Sequence, residues 1–303
     1  MMGRDSIRLL LFILIGSAMA WIFVSRYSPA VEPPASAAIP RSFIVFDATL
    51  YKDKPSLEAY HVRPITVLYE SRLFVPNQSP SAMPPEVIVR SLAYERRGVP
   101  EPVILDIERW PIKGDAPAVQ STVAKFLSVF SWVKGEAPGV PFGFYGTVPI
   151  PDYWRAIRDP GSPEFRSWQQ DNDRLEAVSD QVDALFPSIY TFYLDRQGWV
   201  TYAIAQITEA RRKAKGKPVY AFVMPRYHES NLLLGSRFLS SDYWELELTT
   251  VAQHADGVVI WGGWGTNGPE PWDEEAAWWQ VTKRFTARRD SSAPAAHTDI
   301  LIR

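Results

Sequence analysis

Cysteine is absent from this 303-residue chain, which removes disulfides, thiol nucleophiles and thiolate metal sites together. Histidine is scarce. His61, His228, His254 and His297 are scattered, with none of the H-x3-H or HExxH spacing that a zinc site uses, so neither metal nor cofactor is expected. Neither sign of charge dominates: Lys+Arg 32 stand against Asp+Glu 34, a formal charge of -2. No basic run tracks a phosphate backbone, and nucleic acid is excluded as a partner. There is no G-x-S-x-G and no P-loop. "GWGTNG" (Gly263–Gly268) fits G-x-G-x-x-G, but too little chain follows it for a βαβ unit, so it reads as a turn leaving a strand. "ARRKAKGK" (210–217) reads as a solvated helix end whose cations complement the helix dipole.

What the chain has is apolar and aromatic mass. Hydrophobic residues make up 46%, with 12 Trp, 13 Tyr and 15 Phe, enough for one large core of the size closed α/β barrels reach. At the N-terminus, Arg4 and Arg8 precede the apolar run "LLLFILIGSAMAWIFV" (Leu9–Val24). A basic flank before an apolar segment is an export element, here expected to stay uncleaved as a membrane anchor over residues 1–27. The Pro/Ala-rich stretch 28–40 is then a tether with nothing to pack. The body, 41–286, would work outside the cytoplasm, membrane-anchored or secreted. Residues 287–303 are expected to be a flexible tail.

Within the body, short apolar runs alternate with segments of helical period. The strand candidates are 43–48, 65–70, 103–108, 142–146, 184–190, 219–224 and 257–262, mostly apolar on both faces as strands of a covered parallel sheet must be. Val123, Phe126, Leu127, Phe130 and Val133 step along one helix face, as do Val200, Ala203, Ile204, Ile207 and Ala210. Further helices are expected near 85–97, 165–180, 241–254 and 273–285, the last carrying "WDEEAAWWQ" as an acidic first turn followed by a buried aromatic face. The regular alternation predicts an α/β fold, a TIM-like (β/α) barrel of about seven strands. It is irregular where residues 49–64 leave no room for a full helix.

In a barrel the active site lies at the carboxyl ends of the strands. "VILDIERWPI" (103–112) ends its strand in Asp106 and Glu108, two apart and therefore on one face with Ile104. Cβ atoms about 6–7 Å apart let two carboxyls share a proton, raising one pKa while the other group stays ionised. A carboxylic acid kept protonated near neutral pH is what a glycosidase uses on a leaving oxygen. A strand simply entering a polar loop would look the same from these two residues alone. Aromatics mark three other strand ends: Tyr145, Tyr190 and Trp261. Each alone is commonly a core residue; at successive strand ends they suit the apolar faces of sugar rings.

"VILDIERW" resembles the catalytic strand of the hyaluronidase family of animal and venom glycosidases, an apolar run followed by D-x-E with Trp and Pro close behind. "FGFYG…PDYW" resembles the family's F-G-F-Y-G-F-P-D-C-Y, "ALFPSIY" its L-Y-P-S-I-Y, and "GVVIWGGW" its last strand, G-V-V-L-W. "KPVYAFVMPRY" fits the strand before that, and "FIVFDATL" resembles the opening strand. The order agrees from about residue 42 to 264. The resemblance implies that Glu108 is the general acid/base and that Asp106 orients the substrate's acetamido group, whose own oxygen attacks the anomeric carbon. It further implies that Tyr190 hydrogen-bonds that group, that Tyr145 and Tyr227 line the subsite, and that Trp261 lies under the sugar. Asp47 stands where the family has Asn. The family's arginine between Trp and Pro is missing, since Trp110 runs directly into Pro111, and Arg109 precedes instead. Ile104 occupies the slot that an acid fills in the chitinase D-x-D-x-E run.

The expected activity is that of a retaining, substrate-assisted endo-glycosidase acting on an N-acetylhexosamine-containing polysaccharide: hyaluronan, chondroitin or another amino-sugar glycan. The competing expectation is a catalytically inactive carbohydrate-binding barrel. Beyond the polysaccharide and the membrane contact of the N-terminal segment, no obligate protein partner is evident.

Overall fold

A computed structural model of the chain describes residues 39–40 and 42–291. The expected anchor, nearly all of the tether and the end of the tail lie outside the described residues. Among those described, no helix is long and apolar enough to cross a membrane.

The strands are β1 (Ile44–Thr49), β2 (Val62–Pro64), β3 (Thr66–Tyr69), β4 (Val103–Asp106), β5 (Phe142–Phe144), β6 (Tyr220–Val223) and β7 (Gly257–Gly262). All of their pairings are parallel, in the orders β2-β1-β7-β6 and β3-β4-β5. Two features join these sheets into one circuit. Only Ile65 separates β2 from β3, so one bent stave pairs with β1 through its first half and with β4 through its second. The bend follows Pro64, which has no N–H to continue the ladder. On the far side, residues 184–191 form a stave interrupted at Pro187. The Gly146 N–H donates to the Phe186 carbonyl at 3.0 Å, and the N–H groups of Tyr220 and Phe222 donate to the carbonyls of Leu185 and Pro187 at 2.9 and 2.8 Å. The staves β1, β2–β3, β4, β5, 184–191, β6 and β7 thus make the expected seven, closed as a barrel.

Alternation along each stave sorts the side chains into two layers. Phe46, Ile104, Phe186, Phe222 and Val259 fill the barrel, while Val45, Leu105, Val258 and Ile260 face outward into a second apolar layer. Helices cover that layer: α1 (Glu70–Leu73), α2 (Glu86–Tyr94), α3 (Ala116–Glu136), α4 (Tyr153–Ala156), α5 (Pro163–Asp173), α6 (Glu176–Gln181), α7 (Arg196–Ala214), α8 (Ser241–His254) and α9 (Ala277–Ser291). α3 opens where the Asp115 side chain accepts from the Ala118 N–H at 2.8 Å, and α7 where Asp195 accepts from Gly198 at 2.9 Å.

Several expectations change in detail. The buried stripe of α3 runs through Val119, Phe126, Val129 and Val133, leaving Val123 and Leu127 half-covered, and that of α7 is turned toward Trp199, Tyr202 and Gln206. The helix expected over 165–180 breaks into α5 and α6. α9 continues to Ser291, into the segment expected to be tail. Residues 49–64 hold no full helix, only a 3-10 turn at Glu58–Tyr60 ahead of β2, as their length demands. "WDEEAAWWQ" buries Trp278 and Trp279 as expected, but α9 begins only at Ala277, so the acids precede the helix and do not form its first turn. The basic end of α7 is not a merely solvated face: Lys213 is buried against Asp173, and Lys215 pairs with Glu176 at 2.9 Å and Asp180 at 2.8 Å.

Gly143 tests the closure. A Cβ there would lie 2.6 Å from the Phe186 ring and closer still to the Ala184 carbonyl. Gly143→Ala is expected to cost about 1–3 kcal/mol through overpacking, lowering Tm by several degrees. An unchanged Tm would show that the 184–191 stave is not seated on β5.

Candidate active site

The inward face of each stave ends at one mouth. Tyr69, Asp106, Tyr145, Tyr190, Met224 and Trp261 come together there, around a cleft of about 740 Å³ that Glu108 and Tyr227 also line. Six of the seven residues expected at the site therefore meet. Asp47 is the exception. It shares the outward side of β1 with Val45, while Phe46 and Ala48 point inward, so period-2 alternation turns it away from the cleft. Its carboxylate pairs with Lys54 at 2.6 Å and accepts from the Thr49 N–H at 2.9 Å and hydroxyl at 2.6 Å. It ties down the loop after β1 and does not line the cleft.

Asp106 stands at the carboxyl end of β4, in register with Tyr69 on β3. One of its oxygens, Oδ1, is enclosed without a hydrogen-bond partner among the described residues. A buried acceptor left unmatched marks a place where a ligand donor fits. Burial, then the charges of Glu108 and Glu70, push the Asp106 pKa up to about 7. Glu108 is more open to solvent, but the cleft walls still desolvate it, and with Glu70 and Glu229 they raise its pKa too. The pair therefore retains a proton at pH values where ordinary carboxylates are both ionised.

Aromatic side chains enclose this pair. Trp261 Nε1–H donates to the Tyr69 hydroxyl oxygen at 3.0 Å, reaching across β1. Ala48, level with Trp261 in the β1–β7 register, is small enough to let the indole pass. Tyr190 lies 6.1 Å from both the Trp261 and the Tyr145 ring centroids, and Tyr145 donates to Ser188 Oγ at 3.1 Å. Burial pushes the Tyr69 phenol up to about 12 and raises those of Tyr145 and Tyr190 as well, so all three remain neutral. Tyr227 lines the cleft with one edge, and its ring also meets Tyr243 at 6.3 Å. No group of three or more His, Cys, Asp or Glu side chains able to hold a metal ion occurs among the described residues.

Glu70 was not among the expected residues, yet it holds the acid in place. Its Oε1 accepts from the backbone N–H groups of Glu108 at 2.8 Å and Arg109 at 2.7 Å, and its Oε2 accepts from Arg109 Nε at 3.0 Å. The Arg109 guanidinium lies 3.7 Å over the Phe74 ring. One carboxylate thus fixes the loop that carries Glu108 and adds negative charge beside both acids. "ITVLYE" ends a strand in an acid just as "VILDIE" does, and that parallel was the available signal. "GWGTNG" forms the expected turn: Gly263 takes φ +81, where a Cβ would lie 2.6 Å from the Tyr51 backbone nitrogen, and β8 (Trp264–Gly265) pairs antiparallel with β9 (Gly268–Pro269) on the cleft wall.

The fold and site define a parallel (β/α) barrel with a carboxylate pair in an aromatic mouth. No family model matches the chain, and no curated relative matches it. Among solved structures it is similar to bee venom hyaluronidase in a monoclinic crystal, with TM-score 0.55 and 16% identity over 82% of this chain and 97% of that one. It is equally similar to bee venom hyaluronidase in complex with a hyaluronic acid tetramer, with TM-score 0.55 and 16% identity over 82% and 96% of the two chains. The structural likeness, at that identity, shows a shared barrel fold alone.

The electrostatic account is directly measurable. Carboxyl ¹³C NMR is expected to place the Asp106 midpoint near pH 7, as its pKa of about 7 requires. Glu70→Gln, which keeps an acceptor oxygen but removes the charge, should move that midpoint down. A midpoint at the ordinary aspartate value, or one that Glu70→Gln leaves in place, would refute it.

Proposed function

We propose that this chain is a retaining glycoside hydrolase that cleaves an N-acetylhexosamine-containing polysaccharide, in the manner of a hyaluronidase. One observation carries the reading. Asp106 and Glu108 share the mouth of a barrel, both with raised pKa values, inside a ring of neutral phenols and an indole. The bee venom enzyme of the same fold was solved with a hyaluronic acid tetramer, which supports a glycan as the ligand class.

In the empty cleft the shared proton favours the more deeply buried Asp106. A bound acetamido group offers its N–H to the Asp106 carboxylate, which stabilises the ionised form there and leaves the proton to Glu108. Glu108 then protonates the leaving glycosidic oxygen while the acetamido oxygen attacks the anomeric carbon. Asp106 balances the positive charge that develops on the acetamido nitrogen, in a site where low water content strengthens the interaction. Glu108, now ionised, takes a proton from the water that opens the cyclic intermediate, and the anomeric configuration is retained. Tyr190 and Tyr145 hold the acetamido group, and Trp261 and Tyr227 form the walls. The basic and apolar N-terminal segment would deliver this activity to a substrate outside the cytoplasm.

Glu108→Gln should lower hydrolysis of amino-sugar polymers by about 10²–10⁴-fold, the share general acid catalysis supplies. Turnover at the level of the unaltered chain would sink the assignment. ¹H NMR of the first-formed reducing end should show retention. Inversion would instead require a general base acting on water directly.

A further inference from the structure

We propose that the cleft selects hexosamine polymers free of uronic acid, accepting unacetylated amino groups beside Glu229, and rejects polyuronates such as hyaluronan. This deepens the hydrolase reading and rests on it for the reaction; the selectivity rests on the walls alone.

The argument is one of charge that a ligand can use. Besides the reacting pair, the cleft carries two more carboxylates, Glu229 and Glu270. Arg226 is the single Arg or Lys side chain that lines it among the described residues. Its charge is already committed: Nη1 donates to Glu270 Oε1 at 3.0 Å, Nη2 donates to Glu270 Oε2, and the guanidinium lies 4.0 Å over the Phe238 ring. Its Nε–H is enclosed and out of a ligand's reach, which leaves one N–H on each Nη beside the two that Glu270 takes. A bidentate arginine–carboxylate pair is among the stronger charge-assisted contacts, so a uronate would have to displace Glu270 to use it.

Two further cations, Arg109 and Lys113, are also engaged. Arg109 is paired with Glu70, and Lys113 with Asp152 at 3.2 Å. His228 stacks on Tyr190 with centroids 6.0 Å apart and Nδ1 against Ser230 Oγ at 2.8 Å, and burial lowers its pKa, so it adds no cation near neutral pH.

Stacking does not discriminate between sugars that differ only in a charged substituent. Trp261, Tyr190 and the half-exposed Trp264 offer apolar surface to any pyranose face. Charge is the remaining difference. A carboxylated sugar brought into this cleft meets like charge beside a lining arginine that Glu270 already pairs, whereas an ammonium group meets Glu229. Like-charge juxtaposition acts as rejection of wrong partners, and it weakens as salt screens it.

The test uses the full-length chain with Glu108→Gln, so that binding is read without turnover. Calorimetry would compare oligosaccharides of equal length: fully N-acetylated glucosamine oligomers, partly de-N-acetylated ones, and hyaluronan oligomers. Partly deacetylated oligomers are expected to bind most tightly, and hyaluronan oligomers at least about tenfold more weakly than the neutral series at low salt, with the gap narrowing as salt rises. Adding Glu229→Gln should remove the preference for the deacetylated series. Hyaluronan binding as tight as or tighter than the neutral series would overturn the proposal, and so would the absence of binding by all three. The two readings fail separately. The expected binding order without hydrolysis by the unaltered chain would remove the hydrolase reading and keep the selectivity. Hydrolysis with hyaluronan preferred would do the reverse.

Discussion

Every feature of the site follows from parallel closure. Staves that all run in one direction around a ring deliver their carboxyl ends to one mouth, and period-2 alternation decides which end residues point into it. Phe46, Ile104, Phe186, Phe222 and Val259 plug the barrel below, so the next inward residues form a floor and not a pore. Asp106 belongs to that floor because Ile104, two positions back, is core. The same rule sends Asp47 outward to Lys54, although its position on β1 is close to the mouth in sequence terms.

Placing a carboxyl on that floor has an energetic consequence. With a folded pKa of about 7 against an ordinary 3.8, Asp106 holds its proton in the folded chain more tightly than in the unfolded one. Stability therefore falls as pH rises between those two values and levels off above the higher one. The rest of the fold tolerates this because the two apolar layers are extensive, and the strain is confined to a few groups at the mouth. Glu70 concentrates that strain and organises it at once. It is repelled by the acids it holds apart from water, yet three N–H donors from Glu108 and Arg109 compensate it. Glu70 thus positions Glu108 and adds to a pKa rise whose larger cause, for both acids, is burial.

The walls tell a second electrostatic story. Arg226 and Glu270 neutralise each other across the cleft's rim, which leaves an acidic interior lined by aromatic faces. The barrel is shared with an enzyme solved around a polyanionic glycan, but a barrel does not fix the charge of its loops. Under the proposed selectivity, substrate choice rests on segments between strands, here Arg226–Ser236 and the β8–β9 hairpin.

Much of this is legible in the sequence alone. The seven strands were readable because each is a short, β-branched or aromatic run, and D-x-E followed by Trp was readable because its geometry is local to one strand. Tyr145, Tyr190 and Trp261 stood at strand ends for the same reason. Helix faces were readable to within a rotation of about one residue, since Val123 and Leu127 are apolar but sit beside the buried stripe. What tertiary structure alone decided are contacts between residues far apart in the chain: Glu70 gripping a loop 38 positions away, Trp261 meeting Tyr69 across β1, and Arg226 cancelled by Glu270. Local periodicity fixes which way a side chain leaves its own strand. It carries no information on which distant group waits there, and that second fact sets the pKa of Asp106 and the charge of the cleft.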